Sequence, residues 1–255
     1  MSRKLAAALA CRSQGSRLYG KPLQKLDAEG RVSILDHLIN LLKSHAVIGD
    51  IVLGISEGAE NTSFVDVAQR HGVRHLWGDP IDVLQRLIQC GRAAGATDVF
   101  RVTTESPFIA TGVLEDAWRR HIEHGNDVTV TDGVPEGSHF EIYRLSALEM
   151  SHERGGKDER SELCNLYIRR HQEDFHIEVV DVPPAWQRPD IRLTVDYPED
   201  LVLCRRIFAS LRHHAPRIPL EDIIAFVDAH PELHALVEPY VTSRLIWTRP
   251  AGAAR

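Results

Sequence analysis

Two glycines, two serines, two arginines and a lysine crowd the stretch Arg12-Ser13-Gln14-Gly15-Ser16-Arg17-Leu18-Tyr19-Gly20-Lys21, directly after the apolar run Leu5–Cys11. Small residues let backbone N–H groups approach anionic oxygens, and Arg12, Arg17 and Lys21 supply fixed positive charge. That combination suits a polyphosphate. Gly15 to Lys21 matches the first seven positions of G-x-x-x-x-G-K-[ST], but Pro22 stands where the magnesium-binding hydroxyl would be and removes a backbone donor, so an ordinary P-loop is disfavoured. Two later blocks, Arg101–Pro107 and Arg192–Asp200, each read as a strand ending in a carboxylate, Glu105 and Asp196. Two acids on strand ends beside a phosphate loop suggest Mg2+, a hard cation that takes oxygen ligands and shares them with substrate phosphates. Taken singly, each acid has a plainer use at a helix N-terminus, where negative charge is favourable.

The elements that must position these groups alternate along the chain. Leu5–Ala10, Asp50–Ile55, Val73–Trp77, Val99–Thr103 and Val128–Val130 read as strands, and helices lie between them. Ser33 followed by Asp36 resembles a capping box, and Asp79-Pro80 places a cap and a first-turn proline before a helix reaching about Ala94. This order predicts an α/β fold, a doubly wound and mainly parallel sheet, with ligands outside the carboxyl ends of the strands. From about 135 to 185 the rhythm changes to Phe140–Tyr143 (strand), Ala147–Glu153 (helical turn), Glu162–Gln172 (helix) and Phe175–Val182 (strand), an inserted segment that suits a lid or a dimer contact. Helices at Pro198–His213 and Leu220–Ala229 close a single domain of residues 1–248, and the Ala/Gly/Arg-rich tail from 249 is expected to fray.

Bulk properties agree. The chain has 255 residues, 43% of them hydrophobic, and a net charge of −6, which disfavours general nucleic-acid binding. The apolar runs are too short to span a membrane, and the N-terminal one is better read as a buried strand than as a signal peptide. Cys11, Cys90, Cys164 and Cys204 lie far apart without a C-x-x-C pair and read as reduced thiols, which points to the cytoplasm. His71 with His75, and His213 with His214, read as surface histidines, because no further ligands keep metal-site spacing.

Together the three blocks resemble the cytidylyltransferases that make CMP-activated sugar acids, a family with 3-deoxy-manno-octulosonate, acylneuraminate and spore-coat polysaccharide members. The family opening A-R-x-x-S-x-R-L-x-G-K-x-L is similar to Ala10–Leu23, with Cys11 standing before Arg12. G-x-x-x-D-V-L-x-R is matched by Gly78, Asp82, Val83, Leu84 and Arg86; R-V-T-x-D-x-P by Arg101–Pro107, with Glu105 for the aspartate; and D-T-x-E-D-L by Asp196–Leu201. The resemblance implies a nucleotidyltransferase fold and transfer of CMP from CTP to an acidic sugar or similar acceptor, with release of pyrophosphate. It implies nucleotide binding by Ala10, Arg12, Ser13, Gly15, Ser16, Arg17, Lys21, Asp82, Arg86 and Arg101, catalysis by Arg12, Lys21 and Asp196, and Mg2+ on Glu105 and Asp196. Gly137 and Glu141 resemble an acceptor-facing G-x-x-x-E stretch, and Glu162 keeps only the acid of the family's E-H-V-T, so these three are the expected acceptor-binding residues. A homodimer through 135–185 is expected. For Asp82 and Arg86 the alternative is a helix-end charge with an i,i+4 pair. For the whole chain the alternatives are a protein of this fold that binds nucleotide without transferring it, or transfer to a non-sugar acceptor.

Overall fold

The computed structural model describes residues 3–15, 17–242 and 245–247. The tail from 249 lies outside them. At the centre is β1 (Leu5–Cys11), whose residues are small and apolar because both faces are covered. Leu5, Ala7, Leu9 and Cys11 face one buried cluster, Ala6 and Ala8 the other. Helices α1 (Ile34–Lys43), α2 (Ser63–His71), α3 (Val83–Ala93) and α4 (Leu114–Glu123) alternate with β2 (Ile48–Ser56), β3 (Arg74–Gly78), β4 (Asp98–Arg101) and β5 (Val128–Val130). Next come β6 (Glu141–Arg144), α5 (Leu145–Arg154), α6 (Leu166–Arg170), β7 (Ile177–Val179), α7 (Pro198–Leu211), α8 (Leu220–Asp228) and α9 (Pro231–Val237). Among the described residues seven strands form one sheet, in the order β3-β2-β1-β4-β6-β5-β7. Only β6 runs against its neighbours β4 and β5; the other pairs are parallel. The 135–185 segment therefore supplies two strands of the sheet itself. No described helix is long and apolar enough to cross a membrane.

The Ser33 capping box forms: the Asp36 amide donates to Ser33 Oγ at 3.0 Å, and the Ser33 amide donates to Asp36 Oδ2 at 2.9 Å. Other expectations shift. Helix α3 starts after Asp82, whose Oδ1 accepts the Gln85 amide at 2.8 Å, rather than at Asp79-Pro80. Asp79 instead accepts the amides of Ile81 and Asp82 in a turn. Residues 192–197 form no strand: they make one isolated bridge, Arg192 with Glu136, and bend at 194 and 196–197. Their amides alternate partners: the Leu193 amide reaches Glu136 O at 2.7 Å and the Val195 amide reaches Glu105 O at 3.0 Å, so no single neighbour runs beside them long enough for a ladder. The second of these bonds holds the two blocks that end in Glu105 and Asp196 side by side.

Candidate active site

The carboxyl ends of β1 and β4 open into a cleft lined by Ala10, Arg12, Ser13, Arg17, Lys21, Arg86, Arg101, Glu105, Glu162 and Asp196, among others. Its shape begins with the loop after β1. Gly20 is in the left-handed region at φ 59° and donates its amide to Ser13 O at 2.7 Å. A Cβ on Gly15 would lie 2.5 Å from Leu18 O, so the loop folds this tightly only with glycine there. The Ser13 amide is not free for phosphate, contrary to the expected backbone cradle. It donates to Asn61 Oδ1 at 2.7 Å, and Ser13 Oγ donates to Glu60 O at 2.9 Å. Ser16 lies outside the described residues. Arg12, Arg17 and Lys21 of this loop line the cleft with their side chains. Asn61, 1% exposed, also donates to Ser56 O and acts as a buried clamp. Replacing Asn61 with Ala leaves the buried Ser13 N–H unpaired, at a cost of about 1–3 kcal/mol. The expected outcome is a lowered melting temperature together with weaker nucleotide binding, read by calorimetry.

Charge in the cleft converges on Asp196. Lys21 Nζ donates to Asp196 Oδ1 at 2.6 Å, Arg17 stands 3.3 Å from the same oxygen, and Arg192 Nη2 donates to Oδ2 at 2.6 Å. Burial works to raise the Asp196 pKa, but Lys21, Arg192 and Arg17 outweigh it and hold the carboxylate below its usual range. Arg192, 3% exposed, also pairs with Glu136 at 2.6 Å and Asp200 at 2.9 Å. Asp200 in turn accepts the amides of Asp196 and Tyr197 at 2.8 and 2.9 Å, closing the start of α7. Arg17 lies 4.8 Å from the Tyr197 ring centre and donates to its hydroxyl, and Tyr197 stacks on Tyr240 at 4.0 Å. Glu105 behaves differently: burial pushes its pKa up, Lys21 opposes this and Asp196 adds to it.

Among the described residues no group of three or more His, Cys, Asp or Glu forms a metal cage. Two carboxylates, Glu105 and Asp196, line the cleft from adjacent segments. That donor set fits a Mg2+ ion that arrives with phosphate oxygens and needs only one or two protein carboxylates.

The remaining expected residues separate into two groups. Arg86 is in the cleft wall, 1% exposed, donating Nη1 to Cys11 O at 3.2 Å and Gly54 O at 3.0 Å. Its Nε has no partner among the described residues, and it makes no ion pair there. Burial pulls its pKa down. A Cβ on Gly78 would come within 2.6 Å of Arg86 Cγ, so that glycine makes room for it. Arg101 also lines the cleft and pairs with Glu141 at 2.5 Å.

The others do not face the cleft in the expected way. Asp82 caps α3 and pairs with His152 at 2.7 Å, so neither a cleft position nor the pair with Arg86 is formed. Glu141 is 1% exposed, with Oε1 taken by Asn165 at 2.8 Å and Oε2 by Arg101; it orients Arg101 and has no surface to offer an acceptor. Gly137, at φ 90°, packs so closely that a Cβ would lie 2.7 Å from the Thr194 amide nitrogen, a backbone role. Glu162 does reach the rim of the cleft, where it pairs with Arg12. Asn61, Arg192, Tyr197 and Tyr240 escape a reading of the sequence. For Tyr197 there is a signal, its place next to Asp196; an arginine or asparagine destined for burial carries none.

No family model matches the chain. It is 23% identical over 226 residues to the spore coat polysaccharide biosynthesis protein SpsF of Bacillus subtilis, covering 88% of this chain and 94% of that protein. A cytidylyltransferase from Leptospira borgpetersenii superposes with a TM-score of 0.81 at 19% identity, over 97% of this chain and all of that one. A CMP:2-keto-3-deoxy-manno-octonic acid synthetase in complex with CTP gives 0.62 at 14% identity, over 81% of this chain and 99% of the other. The fold is that of the nucleotidyltransferases.

Proposed function

We propose that the protein is a cytidylyltransferase, moving CMP from CTP to an acidic sugar or similar acceptor and releasing pyrophosphate. The observation that carries this reading is the meeting of Lys21 and Arg17 from the first loop with Asp196 from a distant segment, in a cleft that also holds Arg12, Arg86, Arg101 and Glu105. The cations at this edge suit a triphosphate, and the acids beside them suit the metal it carries. The match to the family's sequence blocks, and the cytidylyltransferase and CTP-bound synthetase among the similar structures, favour CTP over other nucleotides.

In this reading Arg12, Arg17 and Lys21 grip the phosphates, and Arg86 offers its buried charge to the same anion. Arg192 holds the Asp196 carboxylate in place, and Glu141 does the same for Arg101. Glu105 and Asp196 would hold Mg2+, which when bound polarises the α-phosphate and favours the deprotonated acceptor oxygen. The acceptor oxygen bonds to the α-phosphorus while the bond to pyrophosphate breaks. Lys21 and Arg12 offset the charge that collects on the leaving group. Before substrate binds, Lys21 and Arg17 share the single carboxylate of Asp196 with Arg192, so these four groups keep a net positive charge for the polyphosphate.

Pyrophosphate release from each nucleoside triphosphate, with Mg2+ and an acceptor panel, tests the reading. CTP-specific and acceptor-dependent release is expected; phosphate release from ATP or GTP would contradict it, and CTP binding without turnover on any acceptor would favour a protein that only binds. Replacing Glu105 with Asp shortens the arm by one methylene and is expected to keep or raise the turnover number in the same assay. A homodimer through 135–185, where Leu163 stands 53% exposed, belongs to this reading and is measured by light scattering.

A further inference from the structure

The nucleotide cleft leaves open where the acceptor sits, and the three residues expected to bind it are a clamp, a packing glycine and a rim acid. A second cavity of about 450 Å³ lies on the same edge of the sheet, where β5 ends and the chain enters β6. It is two strand spacings from β4, about 10 Å along the edge. The polar residues on its wall are Asp132, Glu136, His139, Arg169 and Thr242, with Val134, Pro189, Leu245 and Ile246 as an apolar side.

The charges there are unevenly committed. Glu136 accepts from Arg192 and from the amide and hydroxyl of Thr242 at 3.1 and 2.9 Å. Asp132 accepts the amides of Ile246 and Trp247 at 3.3 and 2.7 Å, which brings the C-terminal segment in as a wall anchored by Trp247, 4% exposed. Arg169 is half-buried and makes no ion pair among the described residues, and His139 makes no hydrogen bond there. Burial pushes the His139 pKa down, which favours the neutral ring with its one donor and one acceptor. The groups left to meet a ligand are thus a guanidinium and an imidazole, over an apolar side. A smaller pocket lies between this cavity and the cleft: Glu136 and Thr242 line it together with Arg17 and Asp196, which also line the cleft.

We propose that this cavity is the acceptor site, and that it takes a small hydroxylated ring bearing one anionic group, which Arg169 binds and His139 flanks. This rests on the nucleotidyl-transfer reading. A guanidinium matches carboxylate and phosphate alike by paired N–H donors, whereas a neutral acceptor leaves it desolvated and unpaired.

The test is calorimetric titration into the protein loaded with CTP and Mg2+ of three probes: a 2-keto sugar acid, its methyl ester, and a sugar 1-phosphate. Binding of the acid or the phosphate, but not the ester, is expected, and which anion binds distinguishes carboxylate from phosphate. In Arg169→Gln the Kd of that anion is expected to rise about tenfold or more, the loss of a charge-assisted contact, while the Kd for CTP stays within twofold. Arg169→Lys is expected to recover part of the loss. Ester binding as tight as the acid, no binding of either anion, or an unchanged anion affinity in Arg169→Gln overturns the assignment. Failure of the unmodified protein to bind CTP is a different result and refutes the transfer reading itself.

Discussion

Replacing Asp196 with Ala is expected to abolish turnover, by about a thousandfold or more, while leaving the fold intact. The size follows from its position: it is the carboxylate on which Lys21, Arg17 and Arg192 converge, and one of two that can hold the metal in the cleft. Loss of the charge stabilisation a metal gives the reacting phosphate is worth several kcal/mol, and about 4 kcal/mol corresponds to a thousandfold. The fold survives because Arg192, the buried partner, keeps Glu136 and Asp200. The start of α7 is held by Asp200, not by Asp196. Circular dichroism and a melting curve check the fold, and single-turnover kinetics with CTP check the chemistry. Asp196→Asn, which keeps the shape and removes the charge, is expected to be nearly as inactive. An active Asp196→Ala protein sinks the metal assignment.

Arg86 gives the second large effect, with opposite signs on stability and on binding. A buried cation with no ion pair among the described residues costs several kcal/mol of desolvation, and its two carbonyl contacts offset only part of that. Arg86→Met fills nearly the same volume with an apolar chain, so the melting temperature is expected to stay or to rise. CTP affinity is expected to fall about a hundredfold, near the upper end of what one charged hydrogen-bonded contact contributes. Parallel thermal melts and CTP titrations decide it. Loss of stability with unchanged CTP affinity would make Arg86 a structural strut between the ends of β1 and β2.

The parts of this site that were legible in the sequence differ in how the fold places them. The first loop, Arg101 and Glu105 stand at or just after the ends of β1 and β4, whereas Asp196 follows a run that forms no strand and is held beside Glu105 by the Val195 amide. In a parallel sheet groups at strand ends fall on the carboxyl edge whatever the helices do, so for the first three local pattern was enough. What was not legible depends on pairing over distance. Glu141 looks like an exposed strand residue until β6 is inserted between β4 and β5, which buries it against Arg101. Asp79-Pro80 and Asp82 carry equally good cap signals, and the choice of Asp82 is made by where α3 packs and by His152. Arg192 has Asp196 and Asp200 close by in sequence, but its burial also depends on Glu136, 56 residues away, which the chain brings to it only on folding. The cavity proposed for the acceptor was the least visible of all. Its walls come from the β5–β6 connection, α6 and the C-terminal segment, which meet only once the sheet is ordered.

The most direct test of the central claim is a crystal structure of the protein with Mg2+ and a non-hydrolysable CTP analogue. The triphosphate is expected between the first loop and the segments of Glu105 and Asp196, with Lys21 and Arg17 turned from Asp196 to phosphate oxygens and Arg86 within hydrogen-bonding reach. A nucleotide bound elsewhere, or one in this cleft with Lys21 still on Asp196 and its phosphates in solvent, would contradict the account.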